Sequence, residues 1–110
     1  MNIVILESPY AGNIAENERY ARAAMRDCLL RGEAPYASHL LYTQLGVLRD
    51  DVPSERELGI QAGFGFRQFA SKTVVYTDQG FSDGMSAGIM HAHDIGQPVE
   101  FRELPGWEEK

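Results

Sequence analysis

The apolar residues of the chain alternate between short continuous runs and stretches with helical periodicity. Residues 2–6 form an unbroken aliphatic run, which is typical of a central parallel strand that is covered on both faces. After a turn-rich segment, apolar residues recur from Ile14 at steps of three and four, which predicts an amphipathic helix that ends near Gly32. The other predicted elements are a strand at 36–41, a helix from 53 to about 70, a strand at 73–76, a helix that starts at Ser82 and ends near 95, and an edge strand at 99–104.

The helix predicted to begin at Pro53 has a weaker pattern than the others. Pro53 suits the first turn of a helix, and Leu58, Ala62 and Phe66 follow at helical spacing. Together with Phe69 or Ala70 these side chains are expected to form the apolar stripe of the helix.

The alternation of strands and helices predicts a doubly wound α/β fold, because parallel strands need helical crossovers and these are right-handed. We expect three layers, with a four-stranded parallel sheet in the order 2-1-3-4 and helices on both faces. A single domain covers residues 1–104 and leaves a C-terminal tail at 105–110, in which Trp107 either frays with its neighbours or folds back.

Length and charge narrow the classes of partner. A chain of 110 residues is the size of one small domain, and 44% apolar and 24% charged residues are typical of a globular protein. The net charge of -6 repels a polyanion, so duplex nucleic acid is not expected as a partner.

The sequence also bears on membrane insertion and export. The apolar runs are far shorter than the roughly 18 residues that cross a bilayer. The run before Glu7 lacks the basic residues that precede the apolar part of a signal peptide. These features predict a cytoplasmic protein without a membrane segment.

Neither a metal nor a cofactor is expected. His91 and His93 are two residues apart on a predicted helix, so they point about 200° apart and cannot chelate one ion. The single cysteine, Cys28, lies on the apolar stripe of the first helix and is expected to be a buried thiol. His39 ends the predicted second strand, where it either bonds a base or sugar or is satisfied by the local backbone.

The segment from Asp78 to Met85 is a glycine-containing turn between a buried strand and a helix. Gly80 and Gly84 allow close backbone approach, Ser82 can cap the helix, and the free amides of the first helical turn can bind an anion. The turn is therefore either a phosphate or ribose site or a capped turn without a ligand.

Two carboxylates are the candidate catalytic groups. Glu7 follows the first strand and Asp78 follows the third. Ligands of doubly wound folds bind beyond the carboxyl ends of the strands. Because neighbouring strands lie about 4.8 Å apart, both carboxylates could reach one ligand.

Three segments resemble those of the nucleoside 2-deoxyribosyltransferase-like superfamily, and most closely those of a small branch found in phages and bacteria. They are Ile-Val-Ile-Leu-Glu-Ser-Pro-Tyr-Ala-Gly at 3–12, Asp-x-Gly-x-Ser-x-Gly-Met at 78–85 and Ala-x-x-x-Gly-Gln-Pro-Val at 92–99. The resemblance covers residues 2–104. It implies a flavodoxin-like, Rossmann-like sheet, assembly into dimers or larger oligomers, and cleavage of the N-glycosidic bond of deoxynucleosides or deoxynucleotides.

The resemblance also implies a ligand site. The 82–85 turn would receive the 5′ hydroxyl or phosphate, and the loop after the first strand would border the base and sugar. The expected ligand-binding residues are Ser8, Pro9, Tyr10, Gly12, His39, Gly80, Ser82, Gly84 and Met85. The expected ligand is a nucleoside, a nucleotide or a related ribosyl phosphate, and the expected assembly is a homodimer, which the many aromatic residues of so small a domain also favour.

The chain departs from the superfamily pattern at the nucleophile. The superfamily enzymes have a glutamate six residues after the serine of the 78–85 motif, and this position is Gly88 here. A glycine has no carboxylate with which to attack an anomeric carbon. Either Glu7 or Asp78 acts from another direction, or the protein binds nucleotides without turnover, as a sequestering or sensing protein.

Overall fold

The computed structural model describes residues 1–107 and shows a four-stranded sheet with helices on both faces. Its elements are β1 (Asn2–Glu7), α1 (Ile14–Leu30), β2 (Glu33–Tyr36), α2 (Ser38–Leu41), α3 (Pro53–Arg67), β3 (Lys72–Tyr76), α4 (Asp83–Asp94) and β4 (Val99–Arg102). All strand pairs are parallel, and the order is β2-β1-β3-β4. The predicted fold class and strand order are confirmed.

The two faces of β1 pack against different helices because side chains alternate along a strand. Val4 and Leu6 contribute to the core on the α1 face, where they join Tyr20 and Ala24 of that helix. Ile5 and Glu7 have the opposite parity and therefore face α3 and α4. Helices thus cover both faces of β1, and β1 lies between β2 and β3 in the sheet.

The second strand differs from its predicted bounds. It spans Glu33–Tyr36 rather than 36–41, and the following Ser38–Leu41 forms the one-turn helix α2. Gly32 has a φ of +82°, so the chain reverses directly after α1 and pairing starts at once. Pro35 is tolerated because β2 is an edge strand. His39 therefore lies on α2 and does not end a strand.

The residues predicted to form the apolar stripe of α3 are not the buried face of this helix. Leu58 is 60% exposed and Phe66 is 48% exposed, whereas the buried residues of this helix are Gly63 and Arg67. A Cβ at residue 63 would lie 3.0 Å from the Ser38 hydroxyl oxygen, so the glycine lets α3 pack closely against α2. The helix is positioned by a small residue and a buried charge, which a hydrophobicity pattern does not register.

The described part of the tail folds back on the domain. The Trp107 ring packs edge-to-face on Tyr20 at 4.9 Å, and the Arg19 guanidinium lies 4.0 Å above the indole. Residues 108–110 of the predicted tail lie outside the described residues, and the division of the chain at residue 104 stays a prediction. None of the helices within residues 1–107 is long and apolar enough to cross a membrane.

Candidate functional site

A cavity opens at the carboxyl end of β1, between the one-turn helix α2 and the first turn of α4. Residues of β1, α2, α3 and α4 line it. Of the residues predicted for the site, its lining includes Glu7, Ser8, Tyr10, His39, Ser82, Gly84 and Met85. The cavity therefore occupies the place where the strand order reverses, which is where doubly wound folds bind ligands.

The Glu7 carboxylate is packed against Gly88 of α4. A Cβ added at residue 88 would lie 2.6 Å from the Glu7 carboxyl carbon, closer still to its Oε2, and 3.0 Å from Nη2 of Arg67. No side chain fits there while Glu7 keeps its place. Gly88, where the resemblance implies a glutamate, is thus the residue that makes room for the carboxylate of Glu7 from β1.

Glu7 is ion-paired in a nearly dry environment. Arg67 Nη2 donates to Glu7 Oε2 at 2.8 Å, and the exposed fractions of the two side chains are 2% for Arg67 and 14% for Glu7. Burial raises the pKa of Glu7 to about 7, while the hydrogen bond and the charge of Arg67 act in the opposite direction. Near neutral pH the carboxyl group therefore populates both its ionised and its protonated form, which is the range in which a catalytic carboxyl group works.

Arg67 is itself held by buried polar partners. Its Nη1 donates to the Thr73 hydroxyl, and this hydroxyl donates to Oε1 of Gln97 at 2.6 Å. The Gln97 amide nitrogen donates to the carbonyls of Arg67 and Ala70 at 2.8 and 3.2 Å. Neither Arg67 nor the role of Gln97 was identified from the sequence. Arg67 follows Gly63 by four residues, which places both on one face of a helix, and this spacing was the sequence feature that could have indicated it.

Ser8 and His39 form a second polar pair in the cavity wall. Ser8 Oγ lies 2.7 Å from His39 Nε2, and either group can donate this hydrogen bond. Burial lowers the pKa of His39 to about 4, so the ring is neutral at physiological pH. The pair can therefore offer a hydroxyl and a neutral imidazole to a ligand. The sequence predicted both residues for the site but not their contact.

Asp78 lies on the opposite face of the sheet from Glu7. It accepts hydrogen bonds from the Tyr20 hydroxyl at 2.6 Å and from the Leu104 amide at 2.8 Å. Asp78 has the parity of Tyr76, which packs on the α1 face. The structure therefore does not bring the two predicted carboxylates together, and Asp78 joins α1 to the segment after β4.

The remaining predicted residues divide between the cavity and its surroundings. Pro9 and Gly80 are not part of the cavity lining, and Gly12 borders a neighbouring depression that shares Tyr10 and Ala11, among other residues, with the cavity. Ser82 caps α4 by accepting from the Met85 amide at 3.2 Å. The capping hydroxyl is thus occupied, while the turn still faces the cavity.

One charged side chain reaches the start of α4 from α3. Nη2 of Arg56 lies 4.0 Å from the point where a Cβ of Gly84 would stand, and its Nε lies 3.9 Å from Oδ1 of Asp50. Within residues 1–107, no three His, Cys, Asp or Glu side chains are grouped closely enough to hold a metal ion.

Comparisons with known proteins identify the family and agree with the fold. A family model described as Domain of unknown function (DUF7768) matches residues 2–102, so the chain belongs to this family. The comparison with curated proteins found no match. A solved structure of a 2-deoxyribosyltransferase from the psychrotolerant bacterium Bacillus psychrosaccharolyticus has a TM-score of 0.70 to this chain. It is 16% identical, with 98% of this chain and 77% of that chain covered, and this likeness is one of fold.

Proposed function

We propose that this member of the DUF7768 family binds a nucleoside or nucleotide in the cavity at the end of β1 and cleaves its N-glycosidic bond, with Glu7 as the reacting carboxylate. The fold likeness to a 2-deoxyribosyltransferase supports a nucleoside-related ligand. The observation that carries the proposal is the packing of the Glu7 carboxylate against Gly88, because the superfamily pattern places a carboxylate on α4 at this position.

The reaction needs one ionised carboxylate next to the anomeric carbon. An oxygen of Glu7 forms a bond to C1′ as the C1′–N bond breaks, and the base leaves with the bonding electrons and takes a proton from solvent. Water then attacks C1′, its proton goes to solvent or buffer, and the Glu7 carboxylate is released. A second base in place of water would give transfer rather than hydrolysis.

The ligand would lie across the cavity from β1 to α4. Ser8, Tyr10 and His39 would border the base and sugar, since they line the same cavity as Glu7. The turn from Ser82 to Met85 would receive the 5′ hydroxyl or phosphate, and the positive end of α4 favours an anion there.

A binding protein without turnover is the second candidate. The ion pair of Glu7 with Arg67 favours it, because a carboxylate already neutralised by a buried guanidinium is a weaker nucleophile than a free one. In this case the protein would bind a nucleotide in the cavity in order to sequester or sense it.

Calorimetry and base release distinguish the two candidates. The wild type is titrated with nucleosides, 2′-deoxynucleosides, their 5′-monophosphates and ADP-ribose, and free base is followed by chromatography. Glu7→Gln is expected to lower base release at least about 10³-fold while affinity changes little. The control is Glu57→Gln, which alters an exposed glutamate of α3 outside the cavity and should leave both unchanged.

Binding of one ligand class by the wild type without base release would favour the sequestering or sensing protein. An absence of binding across the panel would overturn both candidates and favour an interaction module.

Four further expectations stay predictions. They are assembly into homodimers, a cytoplasmic location, membership of the phage or bacterial branch, and the absence of duplex nucleic acid as a partner.

A further inference from the structure

We propose that Arg67 is a positioning residue: it fixes the Glu7 carboxylate over Gly88 by one oxygen and leaves the other oxygen for the ligand. The consequence for catalysis rests on the proposed function. The placement of Glu7 does not, and it can be measured on the protein without any turnover.

The first step of the argument is the geometry of the guanidinium. Arg67 is the last residue of α3, and its two terminal nitrogens bond to neighbouring strands of the sheet. Nη2 donates to Glu7 at the end of β1 and Nη1 donates to Thr73 of β3. A planar guanidinium held at two points has little rotational freedom. The carboxylate bonded to it is therefore oriented as well.

The second step is the support behind Arg67. Gln97, in the turn between α4 and β4, bonds both to the Thr73 hydroxyl and to the carbonyl of Arg67 itself. The backbone and the side chain of Arg67 are thus tied to the same residue. A buried network with both ends anchored stays in one arrangement more readily than an isolated ion pair does.

The third step is the asymmetry at Glu7. Arg67 bonds to Oε2, and Oε1 accepts no side-chain hydrogen bond from the part of the chain that the structure describes. An oxygen without a protein partner keeps its lone pairs for a ligand. Arg67 also opposes the effect of burial on Glu7, so it maintains a fraction of the carboxylate in the ionised form.

Other charged groups near Glu7 are few and differ in position from Arg67. His91 of α4 stacks on Phe64 at 4.1 Å, and its pKa is lowered by burial and by the charge of Arg67. Neutral His39 shares a hydrogen bond with Ser8, the residue after Glu7. The other charged groups in the cavity lining are Asp50, Glu55 and Arg56. Arg67 is the cation in direct contact with Glu7.

The test is a carboxyl-carbon NMR titration of protein labelled with ¹³C-glutamate, in which Glu7→Gln assigns the Glu7 signal. Arg67→Gln should raise the apparent pKa of Glu7 by at least about one unit, since it removes the paired charge. Arg67→Lys keeps the charge and should restore most of the wild-type value. The control is Arg102→Gln, which removes a second buried arginine, paired with Glu33 on the α1 face, and should leave the Glu7 signal unchanged.

An unchanged Glu7 titration in Arg67→Gln overturns the inference. If this variant does not fold, Thr73→Val replaces it, because it removes the acceptor of Nη1 and keeps the arginine. The Glu7 titration and chemical shift should then change, and identity with the wild type overturns the inference equally.

Turnover gives a separate readout. If the wild type releases base, Arg67→Lys should lower kcat about tenfold or more with little change in KM, as expected for a displaced carboxylate. An Arg67→Lys enzyme with wild-type kcat would count against positioning. A wild type that releases no base would overturn the proposed function alone, since the NMR titration tests Arg67 independently.

Discussion

The Glu7 carboxylate fills the space in which the side chain of residue 88 would begin. The carboxyl carbon of Glu7 lies 2.6 Å from the position of a Cβ at Gly88, so the two residues exclude each other sterically. A long side chain on the strand therefore requires the absence of one on the helix. This relationship accounts for the glycine on the buried face of α4.

The steric exclusion predicts a strong coupling between the two positions. Gly88→Ala is expected to destabilise the protein by about 1–3 kcal/mol, because the new methyl group overlaps a buried carboxyl group. In a Glu7→Ala background the same substitution should cost much less, since the carboxyl group is gone and Arg67 Nη2, 3.0 Å from the new Cβ, is the nearest remaining atom. Urea unfolding of the four proteins of this double-mutant cycle measures the coupling.

Gly65→Ala is the matched control for this cycle. Gly65 also lies within a helix, but a Cβ there would meet nothing within 4 Å. Its replacement should stabilise the protein by about 0.5–1 kcal/mol in either background. Equal effects of Gly65→Ala and Gly88→Ala would contradict the packing of Glu7 against residue 88.

Moving the carboxylate from residue 7 to residue 88 should preserve some activity if Glu7 is the reacting carboxylate. Glu7→Ala should abolish base release, and addition of Gly88→Glu to this variant should restore a measurable part by supplying a carboxylate from α4. Gly88→Glu alone should be strongly destabilised, because it crowds two carboxylates into one buried space. Chromatography of released base measures the outcome, and an inactive double variant that folds and binds ligand would argue against a carboxylate mechanism here.

The pKa of Glu7 predicts an unusual slope of stability with pH. The folded pKa of about 7 lies above the ordinary value of 4.5 for a glutamate, so between these pH values the folded protein holds a proton that the unfolded chain has released. The contribution of Glu7 to stability is therefore full below about pH 4.5 and is lost as the pH rises to about 7, by up to about 3 kcal/mol.

Urea unfolding of the wild type and of Glu7→Gln between pH 4.5 and 8 measures this effect as a difference. Carboxylates with lowered pKa, such as Glu33 and Glu100, give the opposite slope, but they are present in both proteins and cancel. Parallel stability curves for the two proteins would show that Glu7 titrates normally.

Asp78 is expected to matter for stability rather than for ligand binding. Asp78→Ala leaves the Tyr20 hydroxyl and the Leu104 amide without their acceptor and should cost about 1–3 kcal/mol. Asp78→Asn keeps an oxygen acceptor and should cost less. Thermal unfolding and calorimetric titration are to be compared for both variants. Loss of base release in a folded Asp78→Asn protein would return this residue to the list of catalytic candidates.

Self-association is expected from the aromatic surface of α3 and the segment after it. Phe66 and Phe69 are 48% and 68% exposed, and a domain of this length buries only about two-thirds of its unfolded surface. Light scattering at micromolar concentration should give twice the mass of the chain, and Phe69→Ser should shift this toward one chain. Leu45→Ser, at an exposed loop leucine, is the control and should leave the mass unchanged. A single-chain mass for the wild type would contradict the prediction.

Several features followed from local pattern alone. The continuous run that became β1, the periodicity of α1 and the Ser82 cap of α4 each depend on neighbouring residues, and the right-handed crossover rule then left few strand orders. The bounds of β2 did not follow, because a proline and a single helical turn give no periodic signal. The buried face of α3 was also missed, since Gly63 and Arg67 replace the apolar residues that a stripe requires.

The candidate site likewise combines features that the sequence indicated with features that only the tertiary structure showed. The sequence indicated the carboxyl ends of β1 and β3 and the glycine at 88 in place of the expected carboxylate. It left open whether Glu7 or Asp78 replaces that carboxylate or the protein binds without turnover. Only the tertiary structure placed the two carboxylates on opposite faces of the sheet, because side chains alternate along a strand and Asp78 accepts a hydrogen bond from Tyr20 on the α1 face. The partnership of Glu7, Arg67 and Gly88 joins residues from β1, α3 and α4. No local sequence pattern predicts these contacts, because their stability depends on burial and on residues that are far apart in the chain.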